Sequence, residues 1–73
     1  MFLICYKKVF GSEKDAKREL TKVQESATDP KVIKGKVEGC WLVQMYETNR
    51  KERLEEGIAY YRNKGLEVFR YER

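Results

Sequence analysis

The chain contains no histidine, only two cysteines and a single proline among its 73 residues. Without histidine the commonest general base is absent, and neither Cys5 nor Cys40 has the histidine partner that usually activates a thiolate. Glu52 and Glu56 share one predicted helix face with Arg53, a pattern more typical of a solvated, ion-paired surface than of an acid–base pair. We therefore expect no catalytic residues, no small-molecule substrate and no enzyme activity.

The cysteines are also too far apart in the sequence for a zinc knuckle, and a zinc site without histidine would need carboxylates. We expect no metal and no cofactor. Both cysteines lie in apolar, strand-like contexts and are predicted to be small core or sheet residues, with a disulfide as the alternative. The glycines form no phosphate-binding loop pattern.

The sequence lacks a hydrophobic run of the roughly 20 residues that cross a bilayer, so no membrane association is expected. Its start, Met1–Cys5, has no basic leader and is soon followed by Lys7 and Lys8. We expect an unprocessed cytoplasmic protein. The length allows one small domain, residues 1–73, whose single core is only marginally supported by burial, so association could add to its stability.

Sixteen basic residues against twelve acidic residues give a net charge of +4. This surplus favours an acidic partner. It is weaker than the concentrated basic face of a dedicated nucleic-acid binder, because acidic residues are interspersed throughout the chain.

What the sequence does contain is a distinctive order of periodicities. Alternating or apolar runs predict strands at 2–10, 31–37, 40–46 and 66–71, and helical spacing predicts helices from about Glu13 and from Thr48 or Asn49. Ser12 is a predicted N-cap, and Gly65 a predicted C-terminal cap. The right-handed crossover rule then predicts an α+β, ferredoxin-like βαββαβ domain with a four-stranded antiparallel sheet and two helices on one face.

The turn at Glu38–Gly39 should join the second and third strands, although a turn or bulge at 34–36 would shift the register. The all-apolar set Trp41, Val43 and Met45 is predicted to lie under the helices. The opposite side of the sheet, called the outer face below, is then expected to carry Tyr46 and Glu67 beside the predicted partner-binding set. That set is Leu3, Cys5, Lys7, Cys40, Leu42, Gln44, Phe69 and Tyr71.

A contiguous apolar patch of this kind is seldom left exposed to solvent in a monomer. We therefore expect the outer face to bind a protein partner or a second copy of the chain in a homodimer. The alternative is a nucleic-acid binder that contacts phosphates through Lys31, Lys34 and Lys36. Base stacking as in RNA-recognition motifs is not expected, since Cys40 and Leu42 stand at the stacking positions of the third strand.

The pattern of predicted strands and helices over residues 2–71 resembles that of the SPOR domains, small peptidoglycan-binding modules with the same element order. Residues 2–6 look like the first strand of these domains, 12–16 like their helix start, 41–45 like their third strand and 63–69 like the turn into their last strand. The resemblance implies the fold and, as a further alternative, glycan binding. The Gly-x-Phe element that usually follows the first and third strands is replaced here, so we carry over the fold and not the ligand. As a class, short basic chains of this kind also resemble the small inhibitors or adaptors that phages and mobile elements direct at host machinery.

Overall fold

The computed structural model describes residues 1–73, which form four strands and two α-helices. In chain order they are β1 (Phe2–Tyr6), α1 (Glu13–Val23), β2 (Lys31–Lys34), β3 (Trp41–Thr48), α2 (Lys51–Asn63) and β4 (Val68–Glu72). One 3₁₀ turn, Gln24–Ser26, follows α1. The predicted βαββαβ order is confirmed.

All strand pairs are antiparallel, and the strands lie in the order β2-β3-β1-β4. This is the predicted α+β, ferredoxin-like arrangement. The two edges of the sheet are β2, which is only four residues long and follows Pro30, and β4. Neither helix is both long and apolar enough to span a membrane.

A side-chain cap fixes where α1 begins. The hydroxyl of Ser12 accepts a hydrogen bond of 3.1 Å from the N–H of Asp15, and α1 begins at the next residue as predicted. In contrast, α2 begins two or three residues later than predicted. The reason is that β3 continues as far as Thr48, which pairs with Phe2 of β1 and so cannot belong to the helix.

The C-terminal end of α2 is a Schellman motif, as its sequence predicts. Gly65 has a φ of +85°, a left-handed conformation that glycine adopts without steric cost. Its N–H donates to the carbonyl of Arg62 at 2.9 Å, and the N–H of Leu66 donates to the carbonyl of Tyr61 at 3.1 Å. This turn sends the chain into β4.

Both helices pack on one side of the sheet, called the helix face, and enclose the main core. Ile4, Phe10, Val43, Met45 and Val68 contribute the sheet side of this core, and Ala16, Val23, Leu54, Ile58 and Tyr61 contribute the helix side. At Gly57 the helix comes so close that an added Cβ would lie 2.6 Å from the Cδ1 atom of Ile4. The close approach of α2 therefore depends on this glycine.

A β-bulge in β3 changes the faces of its last residues. Ile4 pairs with Tyr46 but Cys5 pairs with Gln44, so Met45 is an extra residue in β3. The prediction that Tyr46 lies on the outer face is therefore wrong. Its ring instead packs against the main core on the helix face, close to Gly57.

The β2–β3 hairpin closes at the predicted turn, in which Gly39 has a φ of +81°. The N–H of Cys40 donates to the carbonyl of Val37 at 3.1 Å, and the N–H of Gly35 donates to the carbonyl of Cys40 at 2.7 Å. The strand β2 nevertheless ends at Lys34, earlier than expected. Residues 35–40, called the hairpin loop below, leave the sheet and approach its outer face.

Candidate functional site

The outer face carries a second, smaller apolar cluster. Its buried members are Leu3, Cys5, Ile33 and Leu42, and Phe69 and Tyr71 of the edge strand β4 pack against them. The sequence correctly assigned five of these six side chains to the outer face. It missed Ile33, which pairs with Leu42 across the hairpin.

Four predicted contact residues on this face, Leu3, Cys5, Leu42 and Gln44, are 0% exposed although no helix covers them. The expectation that they form an exposed patch is therefore wrong. Side chains from β4 and the hairpin loop cover them instead. Burial also raises the pKa of the Cys5 thiol to about 12, because a thiolate would be desolvated there.

One contact ties the hairpin loop to the far edge of the sheet. The backbone N–H of Lys36, in the loop, donates a 2.7 Å hydrogen bond to the hydroxyl of Tyr71, in β4. The Nζ atom of Lys36 also lies 5.5 Å from the centroid of the Tyr71 ring, within the range of a cation–π interaction. The loop is thereby held over the outer face.

Gln44 is fixed from within the chain and cannot contact a partner directly. Its Nε2 group donates to the backbone carbonyl of Asp29 at 2.9 Å, and its buried Oε1 atom has no hydrogen-bond partner. Asp29 in turn accepts a 3.2 Å hydrogen bond from the N–H of Glu47 through Oδ2, and donates its own N–H to Met45. The segment before β2 is thus anchored along β3.

Lys7, another predicted contact residue, does not lie on the outer face. Its φ of +68° turns the chain at the end of β1, and its Nζ atom lies 3.3 Å from Oε1 of Glu19 on α1. Lys22 lies 2.7 Å from the other oxygen of that carboxylate. The hydrogen bond with Lys22, followed by the weaker one with Lys7, lowers the pKa of Glu19, although partial desolvation opposes them.

What remains accessible on the outer face is an apolar groove beside the hairpin loop. Its volume is about 250 Å³. The groove is lined by Val9, Gly35, Lys36, Val37, Cys40, Leu42 and Tyr71. Val9 and Val37 are 47% and 67% exposed, which is unusual for aliphatic side chains that flank one hollow.

The lysines predicted to contact nucleic acid do not share one surface. Lys31 pairs with Gln44 and Lys34 pairs with Trp41, so they alternate between the outer face and the helix face. The Nζ atom of Lys34 lies 5.8 Å from the centroid of the Trp41 ring, and Lys36 lies over Tyr71. Lys31 and Lys34 lie at the two ends of the edge strand β2, and Lys36 lies in the hairpin loop.

A second cavity, of about 290 Å³, lies on the helix side, where the sequence predicted no site. It is bounded by Arg53, Glu56 and Tyr60 of α2 and by Tyr46 and Thr28. Its walls mix opposite charges with tyrosine rings and do not define one ligand chemistry.

No group of three or more cysteine, aspartate or glutamate side chains is arranged to hold a metal ion. Cys5 and Cys40 are both free thiols, the first buried and the second half-buried. No protein-family model, no curated protein and no solved structure matches this chain at a significant level.

Proposed function

We propose that this protein is a non-enzymatic interaction module that binds a protein partner, or a second copy of itself, through the outer face of its sheet. The observation that carries the proposal is the apolar groove between Val9 and Val37. Hydrophobic side chains that stay exposed around a hollow, on a chain otherwise rich in charge, are typical of an interaction site.

The size of the groove favours a protein side chain as its occupant. Small-molecule pockets usually enclose about 300–1,000 Å³ and bury most of the ligand. The groove is smaller, and Leu42 and Tyr71 contribute apolar walls to it. Such a hollow suits one or two anchor side chains of the kind that dominate binding at protein interfaces.

Nucleic-acid binding is the second candidate, supported by three exposed lysines, Lys31, Lys34 and Lys36, that form no ion pair within the chain. Lysines at a sheet edge can contact phosphates without reading sequence, and such binding weakens steeply with salt. Retardation of DNA or RNA at low salt that is lost in the Lys34→Glu, Lys36→Glu double variant would support this candidate over the first.

Two narrower proposals follow from resemblance alone. Peptidoglycan binding of the SPOR kind would use the outer face, and sedimentation with purified peptidoglycan tests it. A role as a phage-type adaptor or inhibitor of host machinery is one way in which a protein-binding module of this size would act.

The leading proposal can be tested by placing a photo-crosslinking amino acid at Val37 and, as the control, at Tyr60. Both side chains are exposed, at 67% and 54%, but Tyr60 lies on α2, on the opposite side of the sheet. We expect the Val37 variant to form crosslinks, either to a protein in lysate of the source cells or between copies of the chain. These crosslinks should resist nuclease treatment and be absent from the Tyr60 variant. Equal crosslinking at both positions, or none at Val37, would contradict the proposal.

A further inference from the structure

We infer that the free edge of β4 pairs with the same edge of a second copy of the chain, so that two sheets join through an antiparallel, two-fold symmetric ladder. The inference concerns the edge of the sheet and is independent of what the groove binds. In the strand order β2-β3-β1-β4, the strands β2 and β4 each have one unpaired side.

The two edges differ in how well they are protected. The strand β2 has four residues, follows Pro30 and carries a lysine at each end, and all three features discourage the addition of a strand. The strand β4 has five residues, Val68–Glu72, and contains neither proline nor lysine. Because an unprotected edge invites aggregation, its presence here favours a closed contact at this strand.

The hydrogen bonds between β1 and β4 show which backbone groups of β4 are open. Lys7 donates its N–H to the carbonyl of Glu67 at 2.8 Å, and Arg73 donates its N–H to the carbonyl of Met1 at 3.0 Å. The backbone groups of successive residues in an antiparallel strand point to alternate sides. The odd-numbered residues of β4 therefore bond to β1, and the even-numbered residues point their N–H and carbonyl groups outward.

Two residues of β4 offer these outward groups to a partner strand. The carbonyl of Val68 also points outward, but it accepts a 3.4 Å hydrogen bond from Nη2 of Arg62 on α2. Arg70 and Glu72 have no such cover. An antiparallel partner strand can pair with both of them.

Charge selects a second copy as the partner strand and fixes its register. When the ladder is centred on Tyr71, Arg70 of each copy lies opposite Glu72 of the other, and both outward pairs join opposite charges. Centring the ladder on Arg70 or on Glu72 would place like charges opposite each other. Read in the reverse direction, the segment Arg70–Glu72 is therefore complementary to itself, which is the property that a two-fold contact requires.

The charged side chains at this edge are free to make these contacts. Glu72 is exposed and forms no ion pair within the chain. Arg70 is exposed and donates to Glu55 of α2 through Nη2 at 3.1 Å, while its Nε and Nη1 groups form no hydrogen bond. Arg62 and Arg70 balance Glu55 and Glu72, so the edge is locally neutral although the chain is basic.

The outer face leaves room for the ladder. Tyr71, at its centre, packs on the outer-face cluster, and its hydroxyl accepts from the N–H of Lys36. The Tyr71 side chain therefore leans away from the free edge, and Lys36 lies away from the second copy. Glu67 and Arg73, on either side of β4, carry one charge of each sign. The joined sheet ends in a protected β2 at both sides, so association stops at a dimer.

The test is sedimentation equilibrium of the intact protein from about 1 μM to about 1 mM, where we expect monomers and dimers in equilibrium. Glu72→Pro removes an outward N–H and a charge but no hydrogen bond to β1, because proline is tolerated where the N–H of an edge strand faces solvent. It should weaken the dimer at least about tenfold. Circular dichroism should show that this variant remains folded.

Charge reversal tests the register. Arg70→Glu and Glu72→Arg should each weaken self-association at least about tenfold, because each places like charges opposite one another. An equimolar mixture of these two variants should form heterodimers, since every outward pair then joins opposite charges. Lys14→Glu and Glu25→Arg are the matched controls. They make the same charge changes at exposed positions on α1 and the turn after it, over β2 and β3, and should leave the dimer unchanged.

The outcomes separate this inference from the proposed function. Loss of the dimer in Glu72→Pro but not in Val37→Glu supports the inference, and heterodimers from variants that are monomeric alone support the register. A dimer that Val37→Glu dissociates and Glu72→Pro does not would mean that the copies meet at the groove, which overturns the inference and supports the proposed function. A chain that stays monomeric to about 1 mM would also overturn the inference and would leave the proposed function standing.

Discussion

The two faces of the sheet are closed in different ways. On the helix face, ten buried side chains, five of them from α1 and α2, form one continuous core. On the outer face, four buried apolar side chains are covered only by Phe69, Tyr71 and the hairpin loop. A helix is held together by its internal hydrogen bonds and covers a sheet with its side chains. A loop covers a sheet only where individual contacts hold the loop in place.

This difference shows how so small a chain combines stability with an accessible apolar groove. The helix face supplies most of the apolar burial, so the outer face need not be sealed completely. Its central residues are protected by the contact between Lys36 and Tyr71, while Val9 and Val37 at the margin remain accessible. The accessible surface therefore lies beside the loop and not at the centre of the sheet.

The largest expected effect is on thiol reactivity, which reports whether the outer face is closed in solution. In a Cys5→Ala variant the half-buried Cys40 should react quickly with a disulfide reagent at neutral pH, and in a Cys40→Ala variant Cys5 should react roughly a thousandfold more slowly. Cys5 is fully buried, and its pKa is raised to about 12. Rapid labelling of Cys5 in native buffer, measured against the rate in urea, would show that the hairpin loop opens readily.

The second effect compares one leucine from each face. Leu42 on the outer face and Leu54 on the helix face are 0% and 3% exposed, so truncation to alanine should cost about 2–5 kcal/mol in each case. We expect Leu42→Ala to fall lower in this range, because the hairpin loop can settle into the space more easily than α2 can. Urea unfolding measures the loss in free energy of unfolding for both variants. A negligible loss for Leu42→Ala would mean that the outer face is exposed to solvent.

The third effect concerns the close approach of α2 to the helix face. Gly57→Ala should gain up to about 1 kcal/mol of helix propensity but lose about 1–3 kcal/mol, because its Cβ would meet the terminal methyl of Ile4. The net change should be destabilising in the natural sequence and stabilising in an Ile4→Val background, which lacks that methyl. A double-mutant cycle by thermal or urea unfolding tests the reversal of sign.

The smallest effect is the pH dependence that arises from Glu19. Because the hydrogen bonds with Lys22 and Lys7 lower its pKa in the folded state, ionised Glu19 stabilises the fold above its ordinary value of 4.5. That contribution is lost as the pH falls below 4.5 through the folded pKa. Glu19→Gln should therefore be less stable than the natural protein at neutral pH, with a difference that shrinks in acid.

Glu25→Gln, which removes one exposed negative charge that forms no ion pair, is the control for this measurement. A stability difference for Glu19→Gln that persists unchanged at about pH 3 would contradict the role assigned to the carboxylate.

The features that sequence could predict are those set by neighbouring residues. The cap at Ser12, the turn at Gly39 and the C-terminal motif at Gly65 each depend on side-chain or backbone chemistry within a few positions. The alternation of Trp41, Val43 and Met45 likewise placed most of β3 correctly.

What sequence could not predict depends on residues far apart in the chain. The bulge at Met45 arises in the pairing of β3 with β1, and it reversed the face of Tyr46. The positive φ of Lys7 accompanies an ion pair with a helix twelve residues away. The closure of the outer face depends on a hydrogen bond between positions 36 and 71, for which neither local segment carries a signal.

The short edge strand β2 has a consequence for how this molecule behaves at high concentration. An unpaired strand edge can template further strands and lead to fibrous aggregates. Here the edge offers only four residues, with Pro30 before the first and a lysine at each end, so a neighbouring molecule meets little backbone and two positive charges. A chain that keeps an apolar groove accessible can in this way remain dispersed.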